Sequence, residues 1–142
     1  MRDSYEADIL EWSEHQAQLL RRHATGEKLN EAPDWPNIVE EIESVGREQL
    51  HSVESLLVQA LAHMLKAEAW PETAYVAGWQ AEARRFLGDA AARFTPSMRQ
   101  RLDLPKIYRR ALRSMPDTID GEPPLPVSPR CTLSLDELLA DE

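Results

Sequence analysis

Few residues in this sequence have the types and spacing that catalysis or metal binding requires. The segment Glu48-Gln49-Leu50-His51 contains one Glu-x-x-His motif, which places both side chains on one face of a helix. Di-iron bundles combine two such motifs with two further glutamates, all directed into the core. Only one motif is present, and it falls on the polar side of its predicted helix. We therefore predict a solvated, salt-bridging face there, with no metal site and no cofactor.

A polar stripe along the same predicted helix is the second pattern. Its members share a narrow angular sector and are Glu41, Glu48, Ser52, Gln59, His63 and Lys66. A histidine beside carboxylates can transfer protons in general acid–base catalysis or respond to pH. More often such a histidine lies at the edge of the core and donates to a nearby acceptor. The stripe makes Glu41, Glu48 and His63 the candidate binding residues, and no catalytic residue is predicted.

Other kinds of catalytic site have no support in the sequence. There is no Gly-x-Ser-x-Gly motif, and the lone Cys131 lies in a proline-rich tail without a neighbouring base. No glycine-rich turn between a strand and a helix is present to bind phosphate. These observations favour a protein that is not an enzyme.

The elements that position these side chains are predicted to be helices. Apolar residues recur with helical spacing, and the few β-branched residues and five glycines argue against strands. We predict an all-α fold, an up-and-down helical bundle of about four main helices around one long central helix. The predicted helices span about 5–25, 37–70, 73–94 and 96–102, then a helix restarted or kinked at 103–105 and a short docked C-terminal helix at 133–141. The length predicts a single domain over 1–142, with a proline-rich strap at 116–130.

The long central helix is the best defined of these elements. Its predicted buried stripe consists of Ile38, Ile42, Val45, Leu50, Val53, Leu56, Leu57, Ala60 and Met64. Gly46 lies within the stripe, and a glycine there lowers helix stability by up to about 1 kcal/mol relative to alanine. We expect the close approach of a neighbouring helix or a bend to compensate for this loss. Val58, Leu61 and Leu65 make the later half apolar on a second side, so that half is either central in the bundle or part of an interface.

Charge is distributed unevenly along the chain. Residues 1–83 carry 6 basic and 16 acidic residues, residues 84–113 carry 9 and 2, and residues 114–142 carry 1 and 7. The simpler interpretation is a basic helix that packs beside acidic ones, and the alternative is a basic face for an acidic partner or RNA. The net charge of −9 disfavours nucleic-acid binding.

The compartment is predicted to be cytoplasmic. The single cysteine, Cys131, cannot form an internal disulfide and gives no sign of an oxidising compartment. The first residues are acidic from Asp3 onward and lack the apolar segment of a signal peptide. The longest apolar runs are too short to span a bilayer, so no membrane association is predicted.

One segment carries a family resemblance. The residues Trp35-Pro36-Asn37-Ile38-Val39-Glu40-Glu41-Ile42-Glu43-Ser44-Val45-Gly46-Arg47 resemble the signature of the bacterial domain-of-unknown-function family twenty-nine, which is frequent in cyanobacteria and proteobacteria. Further similar residues follow in order: Tyr5, Trp12, His63-Met64-Leu65-Lys66, Trp79, Tyr108, Ala111 and the end from Cys131 to Leu139. Arg130 and Thr132 depart from the Cys-Pro-Tyr-Thr end of that family. The resemblance implies an all-α bundle and brings no established activity.

The function predicted from these observations is non-catalytic: a helical module that binds a protein partner or associates with itself as a homo-oligomer. Two alternatives stay open. One is a small-ligand or metal-binding enzyme that uses Glu41, Glu48 and His63, and the other is nucleic-acid binding through the basic segment 84–113.

Overall fold

A computed structural model of the chain describes the backbone of residues 4–140 and the side chains of residues 5–140. The helices are α1 (Ser4–Ala7), α2 (Ile9–Ala24), α3 (Trp35–Ala69), α4 (Val76–Arg93), a 3-10 helix (Pro96–Met98), α5 (Leu104–Arg113) and α6 (Leu135–Leu139). No strand occurs among these residues, and the one isolated bridge joins Ile119 to Glu122. The predicted all-α fold is confirmed. Two units are distinguished, residues 1–47 and residues 48–142, and α3 contributes to both.

The N-terminal unit contains α1, α2 and the beginning of α3. The single helix predicted over 5–25 is interrupted at Asp8, whose carboxylate accepts a hydrogen bond from the Glu11 backbone N–H at 3.1 Å. An aspartate that bonds a first-turn amide is a strong helix cap, so a new helix begins there and the prediction of one helix is wrong. The helix ends close to its predicted end at 25, and Gly26 follows with φ of +80°, a conformation that suits glycine.

The core of this unit is small. Trp12 and Leu19 of α2 and Ile38 of α3 are its buried apolar residues, and Gln16 is buried beside them. Ile9, the first residue of α2, is half exposed. A core of this size makes the unit sensitive to the few polar contacts that hold its two helices.

The long helix α3 begins at Trp35, two residues before its predicted start, with Pro36 in the first turn, where the missing proline N–H is tolerated. Asn37 lies inside the helix, and its side-chain amide donates to Asp34 Oδ2 at 2.8 Å, next to the first residue of α3. The helix ends at Ala69, close to the predicted end at Trp70-Pro71.

The C-terminal unit is built around the remainder of α3. Its buried cluster comprises Val53, Leu57, Leu61, Leu65, Ala90, Met98, Ile107, Tyr108, Ala111 and Leu138. Leu61 and Leu65 lie in this cluster, so the second apolar side of the helix is covered within the unit. Of the two predicted alternatives, the central position is confirmed for Leu61 and Leu65, and an interface that includes the partly buried Val58 stays a prediction.

The proline-rich segment 116–130 is tied to helices of the C-terminal unit. The Trp70 indole N–H donates to the Glu122 carbonyl at 2.9 Å, and the Tyr108 hydroxyl donates to the Ser128 carbonyl at 2.6 Å. Ser134 and Glu137 form a capping box that starts α6, the predicted short C-terminal helix. The predicted end of this helix at 141 lies outside the described residues, and the single domain stays a prediction.

Candidate functional site

Four apolar residues of α3 are exposed in the N-terminal unit, although Ile38 of the same stretch is buried. Trp35 is 46% exposed, Val39 50%, Ile42 69% and Val45 60%. Burial was predicted for Ile42 and Val45, and that prediction is wrong. Tyr5, at the start of the α1–α2 segment, bonds to Glu41, and Ile42 and Val45 lie beyond this point. We call the four exposed residues Trp35, Val39, Ile42 and Val45 the α3 stripe.

The α3 stripe has the composition of an interface core. Its members follow one another at steps of 4, 3 and 3 residues and therefore share one side of the helix. Glu43, four residues after Val39, is a charged neighbour of the stripe, while Glu40 and Arg47 pair with each other at 2.6 Å farther round the helix. Apolar centres without charge and with a polar rim are typical of protein–protein interfaces.

Gly46 follows the α3 stripe by one residue. No heavy atom lies within 4 Å of the position that a Cβ would occupy on this glycine. Among the described residues, no neighbouring helix therefore makes the predicted close approach, and the alternative of a bend at Gly46 stays a prediction. The glycine leaves a gap on an exposed surface of the helix, next to Val45.

A polar network fixes the start of α3 against α2. The Trp12 indole N–H donates to Asp34 Oδ2 at 2.9 Å, and the Asp34 backbone N–H donates to the buried Gln16 side-chain oxygen at 2.7 Å. The side chains of Asn37 and Trp12 both donate to the Asp34 carboxylate, which holds the pKa of Asp34 below its usual value. These bonds fix the orientation of the part of α3 that carries the α3 stripe.

Glu41, one of the predicted binding residues, is engaged within the N-terminal unit. The Tyr5 hydroxyl donates to Glu41 Oε1 at 2.5 Å. This bond, together with partial burial and the negative charge of Glu41, raises the pKa of Tyr5 to about 12. Sequence reasoning singled out both residues for different reasons but had no signal that they meet, because they are 36 residues apart.

Glu48 and His63 lie in the C-terminal unit and do not meet. They are 15 residues apart on α3, which is about 22 Å along a helix axis. Glu48 is exposed, and its carboxylate has no bonding partner among residues 5–140. A binding role for Glu41, Glu48 and His63 stays a prediction that no convergence of these side chains supports.

His63 has an unusual environment in the C-terminal unit. Its ring stacks on Phe86 with an angle of 4° between the planes and 5.6 Å between the ring centres. The buried Nδ1 atom has no hydrogen-bond partner in the described part of the chain, so the predicted bond of a core-edge histidine is not made by this nitrogen. Burial, followed by the positive charge of Lys66, lowers the pKa of His63; Glu82 opposes this effect and Arg85 adds to it.

A match over nearly the whole chain identifies the family. The sequence profile described as "Domain of unknown function DUF29" matches residues 4–142. The chain belongs to the DUF29 family. The resemblance drawn from the segment 35–47 is thereby confirmed. A solved alpha-helical protein of unknown function from Rhodospirillum rubrum is 27% identical with a TM-score of 0.68, over 100% of this chain and 92% of that one. No curated protein matches the chain.

Neither comparison indicates a catalytic function for this DUF29 chain. Within the described residues, no group of three or more His, Cys, Asp or Glu side chains is placed to hold a metal ion. His51 belongs to the single Glu-x-x-His motif, and its Nδ1 atom lies 3.4 Å from Glu54 Oε2. No helix of the part that the structure describes is long and apolar enough to cross a membrane.

The basic segment of the DUF29 chain is interrupted by acidic side chains. Arg101, Lys106 and Arg110 line a cleft of about 450 Å³ that Glu54 and Asp103 also line. Elsewhere in the C-terminal unit, basic residues of the segment pair with acidic ones, Arg85 with Glu82 and Arg99 with Asp136. This mixture favours the simpler interpretation, in which basic helices pack beside acidic residues.

Proposed function

We propose that this DUF29 protein is a non-catalytic interaction module that binds another protein chain through the α3 stripe. The observation that carries the proposal is the exposure of Ile42, at 69%, in the third turn of a continuous helix. Full burial of a valine or isoleucine side chain is worth about 1.5–3 kcal/mol relative to its exposure. A partner that covers Ile42 and Val45 therefore gains the stabilisation that the monomer lacks.

The rigidity of the scaffold supports the same function. Interfaces in which a helix face docks a partner use anchor side chains at three- and four-residue steps, the spacing of the α3 stripe. The bonds of Asp34 with Trp12 and Gln16 hold the start of this helix in place before a partner arrives. Such preorganisation reduces the entropy that binding would otherwise cost.

The two alternative functions have weaker support. A ligand site at Glu41, Glu48 and His63 would need these side chains to converge, yet Glu48 and His63 are 15 residues apart on one helix. A nucleic-acid surface in the segment 84–113 would include acidic neighbours such as Asp103. Neither alternative accounts for the exposed apolar residues of α3.

Site-specific photo-crosslinking in the native host tests the proposal. A benzophenone amino acid replaces Val39 in the full chain, and the matched control replaces Leu125, an equally exposed apolar residue of the C-terminal unit. We expect a discrete covalent adduct with a protein chain from position 39 and none from position 125. Two results would overturn the proposal: no adduct from position 39, or the same adducts from both positions.

A further inference from the structure

We infer that the occupant of the α3 stripe is a second copy of this chain, packed antiparallel across Ile42. The inference rests on the proposed function, because it names the partner of the same surface. The pattern of residues around Ile42, the gap at Gly46 and the area of the stripe each support it.

The pattern around Ile42 is self-complementary. Val39 precedes Ile42 by three residues, and Val45 follows it by three. A symmetric dimer uses the same patch on both copies, so residue i contacts j and j contacts i. Two antiparallel helices related by an axis at Ile42 place Ile42 on Ile42 and each Val39 on the partner's Val45. All of these contacts are apolar.

The gap at Gly46 has an explanation in this arrangement. Glycine in a helix interior reduces helix stability, and no described atom outside the adjoining turns of α3 lies within 4 Å of the Cβ position of Gly46. Gly46 lies four residues after Ile42, on the side of the helix that the second copy would face. The missing side chain allows the facing helix to approach closely.

The area of the stripe is sufficient for a dimer. The exposed fractions of Trp35, Val39, Ile42 and Val45 correspond to on the order of 400 Å² of accessible surface. Interfaces are about 60% apolar, so a contact built on this centre covers about 650 Å² per copy. A standard interface buries about 800 Å² per partner, which makes this a small but specific contact.

Charge distinguishes a second copy from a basic partner. The N-terminal unit carries 5 basic and 11 acidic residues, so two copies of it repel each other. Salt screens this repulsion, because the screening length falls from about 10 Å at 0.1 M to about 3 Å at 1 M. Added salt therefore strengthens self-association and weakens the binding of a basic protein.

Sedimentation equilibrium of the full chain tests the inference. At about 100 μM protein, a concentration that detects even micromolar contacts, we expect twice the monomer mass of 16.2 kDa. The dissociation constant should fall roughly threefold to tenfold between 0.1 M and 1 M NaCl. Ile42→Glu should raise it more than about 100-fold, since two carboxylates would meet at the symmetry axis. Leu125→Glu, which adds the same charge to the C-terminal unit, should leave it unchanged.

Gly46→Leu tests dimer formation without disturbing the fold of the monomer. Outside the adjoining turns of α3, no described atom lies within 4 Å of the added Cβ, so circular dichroism should show an intact helix content while the dissociation constant rises about tenfold or more. A monomer at both salt concentrations overturns the inference, and so does a dimer that Ile42→Glu leaves intact. If the chain is a monomer and the adduct from position 39 contains a different protein, this inference fails and the proposed function stands. If no adduct forms from position 39 and the chain is a monomer, both fail.

Discussion

The buried side-chain oxygen of Gln16 accepts a hydrogen bond from the backbone N–H of Asp34 at 2.7 Å. This bond joins the middle of α2 to the residue that immediately precedes α3. The Asp34 carboxylate in turn accepts a bond from the Trp12 indole N–H. Residues of α2 therefore bond to both the side chain and the backbone of Asp34. The direction in which α3 leaves the loop therefore depends on two side chains four residues apart.

Replacement of Gln16 tests how much this contact stabilises the N-terminal unit. Gln16→Leu has nearly the same size but removes the acceptor, which leaves the Asp34 N–H without its partner. We expect a loss of about 1–3 kcal/mol in the free energy of unfolding, the usual cost of an unsatisfied buried polar group. Urea denaturation followed by circular dichroism measures it. The control is Gln18→Leu at an exposed position of the same helix, for which we expect a change within about 0.5 kcal/mol. Equal effects of the two variants would contradict the role of Gln16.

The bond between Tyr5 and Glu41 predicts a loss of stability at alkaline pH. The folded protein favours the protonated phenol, since the pKa of Tyr5 is raised from 10.0 to about 12. This contribution is complete below pH 10, the pKa of the unfolded chain, and is lost as pH rises through about 12. Urea midpoints measured up to that range should fall less steeply for Tyr5→Phe than for the natural chain. Tyr75→Phe, which removes a phenol from the C-terminal unit, is the control and should keep the natural slope.

The elements that local signals specify were predictable from the sequence. Ser134 and Glu137 are three residues apart and form their capping box without help from distant residues. The apolar period of α3 likewise gave its length to within two residues at either end. Local hydrogen bonds and periodicity are properties of a short window, so a single sequence is sufficient to predict them.

The exposed surface was not predictable in the same way. Periodicity shows that Ile38, Ile42 and Val45 share a side of the helix, but not how far a neighbouring helix extends along it. Ile38 is covered and Ile42 is not, and this difference depends on contacts between distant parts of the chain. The bond between Tyr5 and Glu41, which joins α1 to α3, links residues 36 positions apart. Nothing in the local sequence of either residue indicates the other.

The glycine of α3 gives a prediction about the isolated monomer. Gly46→Ala should stabilise a chain that also carries Ile42→Glu by about 0.5–1 kcal/mol. The reason is that alanine favours the helix and its Cβ meets no atom within 4 Å. Thermal unfolding of the Ile42→Glu chain with and without Gly46→Ala measures the difference. A lower melting temperature with alanine would show that the glycine is required by the fold of the monomer itself.

His63 predicts a loss of stability at mildly acidic pH. Its pKa is lowered in the folded protein, chiefly because the ring is partly buried, so the folded state favours neutral imidazole. The unfolded chain gains a proton near pH 6.5 while folded His63 does not. The contribution of His63 is therefore complete above pH 6.5 and is lost as pH falls below it. Lys66 and Arg85 strengthen the effect, and the negative charge of Glu82 reduces it.

His63→Phe separates this titration from the packing of the ring. Phenylalanine keeps an aromatic ring beside Phe86 but cannot bind a proton, and it removes the unpaired Nδ1 atom. We expect the variant to lose less free energy of unfolding than the natural chain between about pH 7.5 and about pH 5.5, the range in which histidine titrates. His51→Phe changes an exposed histidine of the same helix and should preserve the natural pH dependence. If His63→Phe and the natural chain lose stability in parallel, the buried ring does not govern the acid sensitivity, and the carboxylates of the C-terminal unit become its source.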